Sequence, residues 1–224
     1  MSATPLESLV LRPRDPRSKA FIADITIHRD VIYLVGGTYH EPTILATSDA
    51  AHFHAKKTPD TPGLRSIIAL PDDRLIVCGE YGALYGSKDL GDSWEKLETS
   101  TQGCLFAIER DANGDLWVTG DDGLVLRSTD QGVAWSSFDA GTKERIANVV
   151  ADGETLYFLC ANGELIARRE ETLRTVLKGK GPLTDVLCTP YGLFVSGDGG
   201  QLYRSADGET FDRLEVVEFH GDEI

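Results

Sequence analysis

The sequence is short of several things at once. It has one methionine and no run that approaches the ~18 apolar residues of a membrane span. Basic side chains are scarce: 22 Lys and Arg face 36 Asp and Glu, for a formal net charge of −14. Such a surface repels nucleic-acid phosphates and anionic membranes, so neither is an expected partner. A basic protein is a better match, although acidity also serves solubility alone. The four cysteines (Cys78, Cys104, Cys160 and Cys188) form no C-x-x-C pair, which argues against zinc. They read as small buried hydrophobes with free thiols. Residues 1–7 lack the basic start and apolar core of a secretory signal, and the expected compartment is the reducing cytoplasm. No long helical pattern, P-loop, dinucleotide fingerprint or nucleophile–His–acid arrangement occurs, so no cofactor is expected.

What the chain has is glycine, 23 residues of it, and a repeated turn. The turn occurs as Thr47-x-Asp49 with Phe53, and as Ser87-x-Asp89-x-Gly91-x-x-Trp94. It recurs as Ser128-x-Asp130-x-Gly132-x-x-Trp135 and as Ser205-x-Asp207-Gly208-x-x-Phe211. The first two spacings between aspartates are 40 and 41 residues, and the third is 77. A doubled interval implies a silent unit, and Ile146 to Leu177 has the same strand rhythm, with 167–171 where the turn should be. Within each unit, short apolar runs alternate with Gly, Asn-Gly and Asp-Gly hairpin signals. In the second unit the predicted strands are 66–70, 75–78, 83–87 and 94–97. In the third they are 105–109, 116–119, 124–128 and 135–138. Five units of four short strands predict an all-β fold, a β-propeller of five four-stranded blades spanning 22–217. Residues 1–21 form an N-terminal extension in which Leu9, Val10 and Leu11 are a candidate outer strand, and 218–224 form a tail. The arrangement favoured is a closed five-blade ring. The alternatives are a sixth blade completed by the N-terminal segment and an arc completed by a second copy.

The Ser-x-Asp-x-Gly-x-x-Trp pattern resembles the Asp box, or BNR repeat, of sialidases and many other propellers. The preceding Gly79-x-x-Gly82, Gly120-x-x-Gly123 and Gly197-x-x-Gly200 widen the resemblance to the repeats of the photosystem II stability/assembly factor family. Physically, the Asp oxygens should accept backbone N–H groups across the turn, the Ser or Thr hydroxyl should add a bond, and glycine should supply left-handed backbone. The aromatic should tuck its ring beneath. Thr47, Asp49, Phe53, Ser87, Asp89, Gly91, Trp94, Ser128, Asp130, Gly132, Trp135, Ser205, Asp207, Gly208 and Phe211 are therefore read as structural. The sialidase half of the resemblance would require an arginine triad and an Arg-Ile-Pro start. The chain offers only Leu11-Arg12-Pro13-Arg14 outside the repeats, so glycosidase activity is disfavoured.

If the boxes occupy one rim, function belongs on the other, where the turns between second and third strands meet the links between blades. Those turns carry Tyr39, His40, Glu41, Glu80, Tyr81, Asp121, Asp122, Asn162 and Asp198. The links carry Lys56, Lys57, Arg65, Lys143, Glu144, Arg145, Lys178 and Lys180. Acidic and aromatic groups around a mouth suit a basic or polyhydroxyl ligand, although turns favour Asp, Asn and Gly for backbone reasons alone. His52-x-His54 is a weak metal signal, since alternation places both on a solvent-facing outer strand. The expected function is a non-enzymatic scaffold that binds another protein. A glycan-binding propeller is the alternative, with tyrosine at only two of five mouth positions, and a homo-oligomer remains open.

Overall fold

The computed structural model describes residues 21–38 and 40–215. The strands form five four-stranded sheets, each a meander in chain order. Sheet one comprises β1 (Phe21–His28), β2 (Val31–Thr38), β3 (Glu41–Thr47) and β4 (His54–Ala55). Sheet two comprises β5 (Leu64–Ala69), β6 (Leu75–Gly79), β7 (Leu84–Ser87) and β8 (Glu95–Lys96). Sheet three comprises β9 (Leu105–Arg110), β10 (Leu116–Gly120), β11 (Leu124–Ser128) and β12 (Ser136–Asp139). Sheet four comprises β13 (Ile146–Asp152), β14 (Thr155–Cys160), β15 (Glu164–Arg169) and β16 (Thr172–Lys178). Sheet five comprises β17 (Leu183–Thr189), β18 (Gly192–Gly197), β19 (Gln201–Ser205) and β20 (Asp212–Arg213). These are the five blades of a β-propeller, and the silent unit is a full blade. The first strand starts at Phe21, inside the predicted extension; Leu9–Leu11 and the tail lie outside the described residues.

The chain divides into two compact units, Met1–Ile108 with Ser128–Ser136, and Glu109–Arg127 with Ser137–Ile224. Each has its own core. In the first, Tyr33, Val35, Ile44 and Ala46 of sheet one pack against Leu64, Ile67, Leu75 and Val77 of sheet two. In the second, Tyr157 and Leu159 of sheet four pack against Leu183, Val186, Leu193, Val195 and Tyr203 of sheet five. The continuous apolar runs of β6, β10 and β14 are buried along their whole length, as strands covered on both faces must be. Each such Leu, Ile or Val contributes roughly 1.5–3 kcal/mol by leaving water. β1 is different: Ile25 and Ile27 are 57% and 67% exposed, so one face of sheet one is aliphatic and uncovered.

A device absent from the sequence reading joins the sheets. In sheets one, two, four and five the first strand slips register at one place, between Ile22 and Asp24, Leu64 and Ser66, Ile146 and Asn148, and Leu183 and Asp185. The residue after each bulge is polar, and a bulge re-aims its side chain. Asp24 accepts bonds from Ser66 Oγ (2.6 Å) and Ile67 N (3.0 Å), and Ser66 Oγ accepts from Ile108 N (3.3 Å). Asn148 Nδ2 likewise donates to Asp185 (2.8 Å). Polar side chains thus stitch neighbouring first strands together within each unit.

The repeated turns lie between third and fourth strands and bond as their residue types require. Ser87, Ser128 and Ser205 donate to Asp89, Asp130 and Asp207 at 2.8–2.9 Å, and Thr47 donates to Asp49 at 3.0 Å. Each aspartate accepts backbone N–H groups further on, such as Val133 N and Ala134 N at Asp130. Four expectations need correction. The aromatics Phe53, Trp94, Trp135 and Phe211 are half-buried rather than fully buried: Trp94 and Phe211 pack against the cores of their units, and Trp94 Nε1 donates to Lys57 O and Trp135 Nε1 to Gly132 O. Lys56 belongs to this rim rather than the opposite one, since its Nζ pairs with Asp92 of the second turn at 2.6 Å. His52 is not on a strand: its Nδ1 pairs with Asp49 Oδ2 at 2.7 Å, within its own turn. Cys78 and Cys160 are buried thiols, and burial pushes Cys160 up to about 11, but Cys104 and Cys188 are only half-buried.

These turns make stability depend on acid. The Ser93 hydroxyl and backbone N–H, with the Ser87 hydroxyl, hold the Asp89 carboxyl at about 2. A folded value below the unfolded ~3.9 means the contribution is complete above pH ~4 and is lost as pH falls through about 2. Asp89→Asn should therefore lower the melting temperature at neutral pH by about 2–4 °C. The gap between wild type and variant should close on acidification towards pH ~2. Parallel melting curves across that range would contradict the assignment.

Candidate functional site

The turns between second and third strands and the starts of the first strands share one rim of each sheet, opposite the acidic turns. Their backbone explains the Gly-x-x-Gly pattern. Gly63 O accepts from Glu80 N at 3.1 Å, and a Cβ on Gly79 would occupy the space of that same carbonyl. Gly82 has φ +67° and donates to Gly103 O at 2.7 Å. The two glycines therefore let the links on either side of sheet two lie directly on its turn.

The predicted rim residues divide into two groups. In the first unit, Glu80 turns inward, is 7% exposed, and pairs with Arg65 at 2.6 Å. Tyr81, in left-handed backbone, points out and is 59% exposed; His40 and Glu41 are exposed on the turn of sheet one. Tyr39 lies outside the described residues. In the second unit, Asp121 pairs with Arg145 at 2.9 Å and Asp122 is exposed. Asn162 donates to Glu164, which Lys178 holds at 2.8 Å and draws below its ordinary range together with Asn162. Asp198 is exposed. The expected acidic rim is thus neutralised in part: Arg65 at the start of β5 and Arg145 in the link before β13 pair with Glu80 and Asp121, whereas Lys178, expected in a link, ends β16 and pairs with Glu164, and Glu41, Asp122 and Asp198 stay exposed. Among the described residues no group of three His, Cys, Asp or Glu side chains is placed to hold a metal.

The pairing in the first unit builds a cavity of about 240 Å³ lined by Phe21, Gly36, Thr38, Leu64, Arg65 and Glu80. The Arg65 guanidinium lies 5.3 Å from the centre of the Phe21 ring, and Phe21 is 46% exposed. Arg65 Nε is buried and has no hydrogen-bond partner among the described residues. Sequence reading named Glu80 and Arg65 separately but missed Phe21, which it assigned to the extension. The signal was available: Phe21 precedes Asp24 by the spacing at which Gly63 precedes Ser66.

No family model matches the chain. It is 25% identical over 162 residues to the photosystem II assembly protein Ycf48 of Thermosynechococcus vestitus, covering 68% of this chain and 46% of that protein. The chain therefore spans about half the length of this curated relative. The solved structure of YCF48 bound to D1 peptide superposes with a TM-score of 0.66 at 21% identity, over 87% of this chain and 66% of that one. A virginiamycin B lyase of Staphylococcus aureus with quinupristin superposes with a TM-score of 0.76 at 12% identity, over 91% and 72%. The feature common to these structures and this chain is the β-propeller itself, a fold that carries both binding proteins and enzymes.

Proposed function

We propose that this chain is a non-enzymatic propeller that binds a protein partner at the rim opposite the acidic turns, as an assembly factor does. The observation that carries the reading is the cavity at Phe21, Arg65 and Glu80, with Tyr81 exposed on the adjoining turn. An exposed aromatic beside a guanidinium with an unused donor is the pairing that dominates interface energetics. The similarity to Ycf48, and the peptide bound to a solved YCF48, support a peptide segment as the ligand. The acidic turns themselves remain Asp-box elements that hold blades and do no chemistry. A cytoplasmic setting belongs to the same proposal, supported by four cysteines that form no disulfide with one another.

The test is affinity capture from the native host at low salt, with wild type and a Phe21→Ser, Tyr81→Ser double variant. Phe21 is about half exposed and Tyr81 more than half, and neither belongs to a buried core cluster, so the fold should survive the change. The expected result is a partner recovered by the wild type and depleted about tenfold or more with the variant. Recovery of the same protein in equal amounts by both would move the interface elsewhere.

A further inference from the structure

The blade without an acidic turn carries a second site. Where the other blades place that turn, sheet four makes a two-residue hairpin at Glu170 and Glu171, with Glu170 in left-handed backbone at φ +53°. The outer strand β16 is in consequence seven residues long, against two in β4, β8 and β20. This extra length builds the wall of a cavity of about 310 Å³. Its floor is apolar, formed by Tyr157, Ala167 and Val176. Its rim carries Arg169 from β15, Arg174 from β16, Thr155, Thr172, Glu170 and Glu209.

The two guanidiniums share one carboxylate. Arg169 Nη1 lies 3.6 Å and Arg174 Nη1 3.5 Å from the two oxygens of Glu209. These are ion pairs too long for hydrogen bonds, and the one hydrogen bond to either guanidinium among the described residues is Arg169 Nε to Thr155 Oγ1 at 3.2 Å. All three charged side chains are more than half exposed, so Glu209 can leave without unfolding anything. Two guanidinium forks from adjacent strands, with threonine hydroxyls on either side, offer donors from several directions. A guanidinium fork matches phosphate as well as carboxylate, and two forks from different strands can engage more oxygens than one carboxylate carries. We infer that this cavity binds a phosphate group, as the free ion or as a phosphomonoester whose organic part rests on the apolar floor, and that Glu209 occupies the phosphate's place when the site is empty. The net charge of −14 offers no long-range attraction to an anion, so recognition rests on these short contacts. The inference is independent of the partner proposed above, whose residues Phe21, Arg65, Glu80 and Tyr81 belong to the other unit.

The experiment titrates the full chain with inorganic phosphate and, separately, with phosphoserine, following backbone amide shifts by NMR. Saturable shifts at Thr155, Arg174 and Glu209 are expected with both, and tighter binding of phosphoserine would show that the floor contributes. Glu209→Gln removes the internal competitor and should tighten phosphate about tenfold, whereas Arg169→Gln with Arg174→Gln should weaken it by at least that factor. The absence of saturable shifts at millimolar phosphate would overturn the inference. So would a Glu209→Gln protein that folds normally yet binds no better than wild type.

Discussion

Trp117→Ala should destabilise the second unit by roughly 3–5 kcal/mol, the range for removing a large aromatic from a closed core. The indole is fully buried. Phe138 meets it edge-on at 5.2 Å and Phe158 at 6.3 Å. The guanidiniums of Arg127 and Arg168 lie 5.1 Å and 4.9 Å from its centre. Its Nε1 donates to Asp111 Oδ2 at 2.9 Å, and Asp111 is itself buried. Truncation therefore opens a cavity, takes a donor from a buried carboxylate and strips the aromatic face from Arg168, whose Nε already lacks a partner. Trp117→Phe separates the effects, since it keeps most of the ring and loses the N–H; about 1–3 kcal/mol is expected. Urea denaturation measures both. A Trp117→Ala protein with an unchanged midpoint would mean the cluster does not hold the sheet.

Gly82→Ala should be strongly damaging for a single added methyl group on the rim. The left-handed backbone at φ +67° costs a non-glycine residue about 1–2 kcal/mol. The added Cβ also collides with Thr101 O, which belongs to the link leading to sheet three. That carbonyl is backbone and cannot rotate aside, so the link must move and the bond from Gly82 N to Gly103 O must lengthen. Gly199 is the control. It has the same φ of +67° on the corresponding turn of sheet five, with nothing within 4 Å of its Cβ position. Gly199→Ala should cost only the backbone term, and the excess in Gly82→Ala, on the order of 1–3 kcal/mol, reports the collision. Equal losses at both sites would show that the link over Gly82 yields freely.

The blades were legible because their signals are local. A Ser-x-Asp turn satisfies its own bonds within six residues, so each can be recognised without its neighbours. Fixed spacing then exposed the fourth blade, although its hairpin at Glu170 and Glu171 carries no Ser-x-Asp signal. The rim was legible only in part. Its residues were identifiable by position, but not the fact that Glu80 folds inward onto Arg65, 15 residues earlier, or that Asp121 pairs with Arg145, 24 residues later. Those pairs depend on the path of the links, which the period does not encode. Phe21 was missed for a different reason: its equivalence to Gly63 shows only once Asp24 is aligned with Ser66, whereas the repeats were counted from their acidic turns.

The stitch from Asp24 to Ser66, and from Asn148 to Asp185, has a consequence for how such a chain can change over generations. The first, second, fourth and fifth repeats carry one polar residue after a bulge, and in Asp24–Ser66 and Asn148–Asp185 those residues fasten one repeat to the next. A duplicated repeat of about 40 residues brings its fastening with it, as expected when stability is a sum over units and their adjacent contacts. Blade number can then grow or shrink by copying, with no new joint to invent, while an individual blade that gives up its acidic turn remains held by its first strand and is free to acquire a different outer edge.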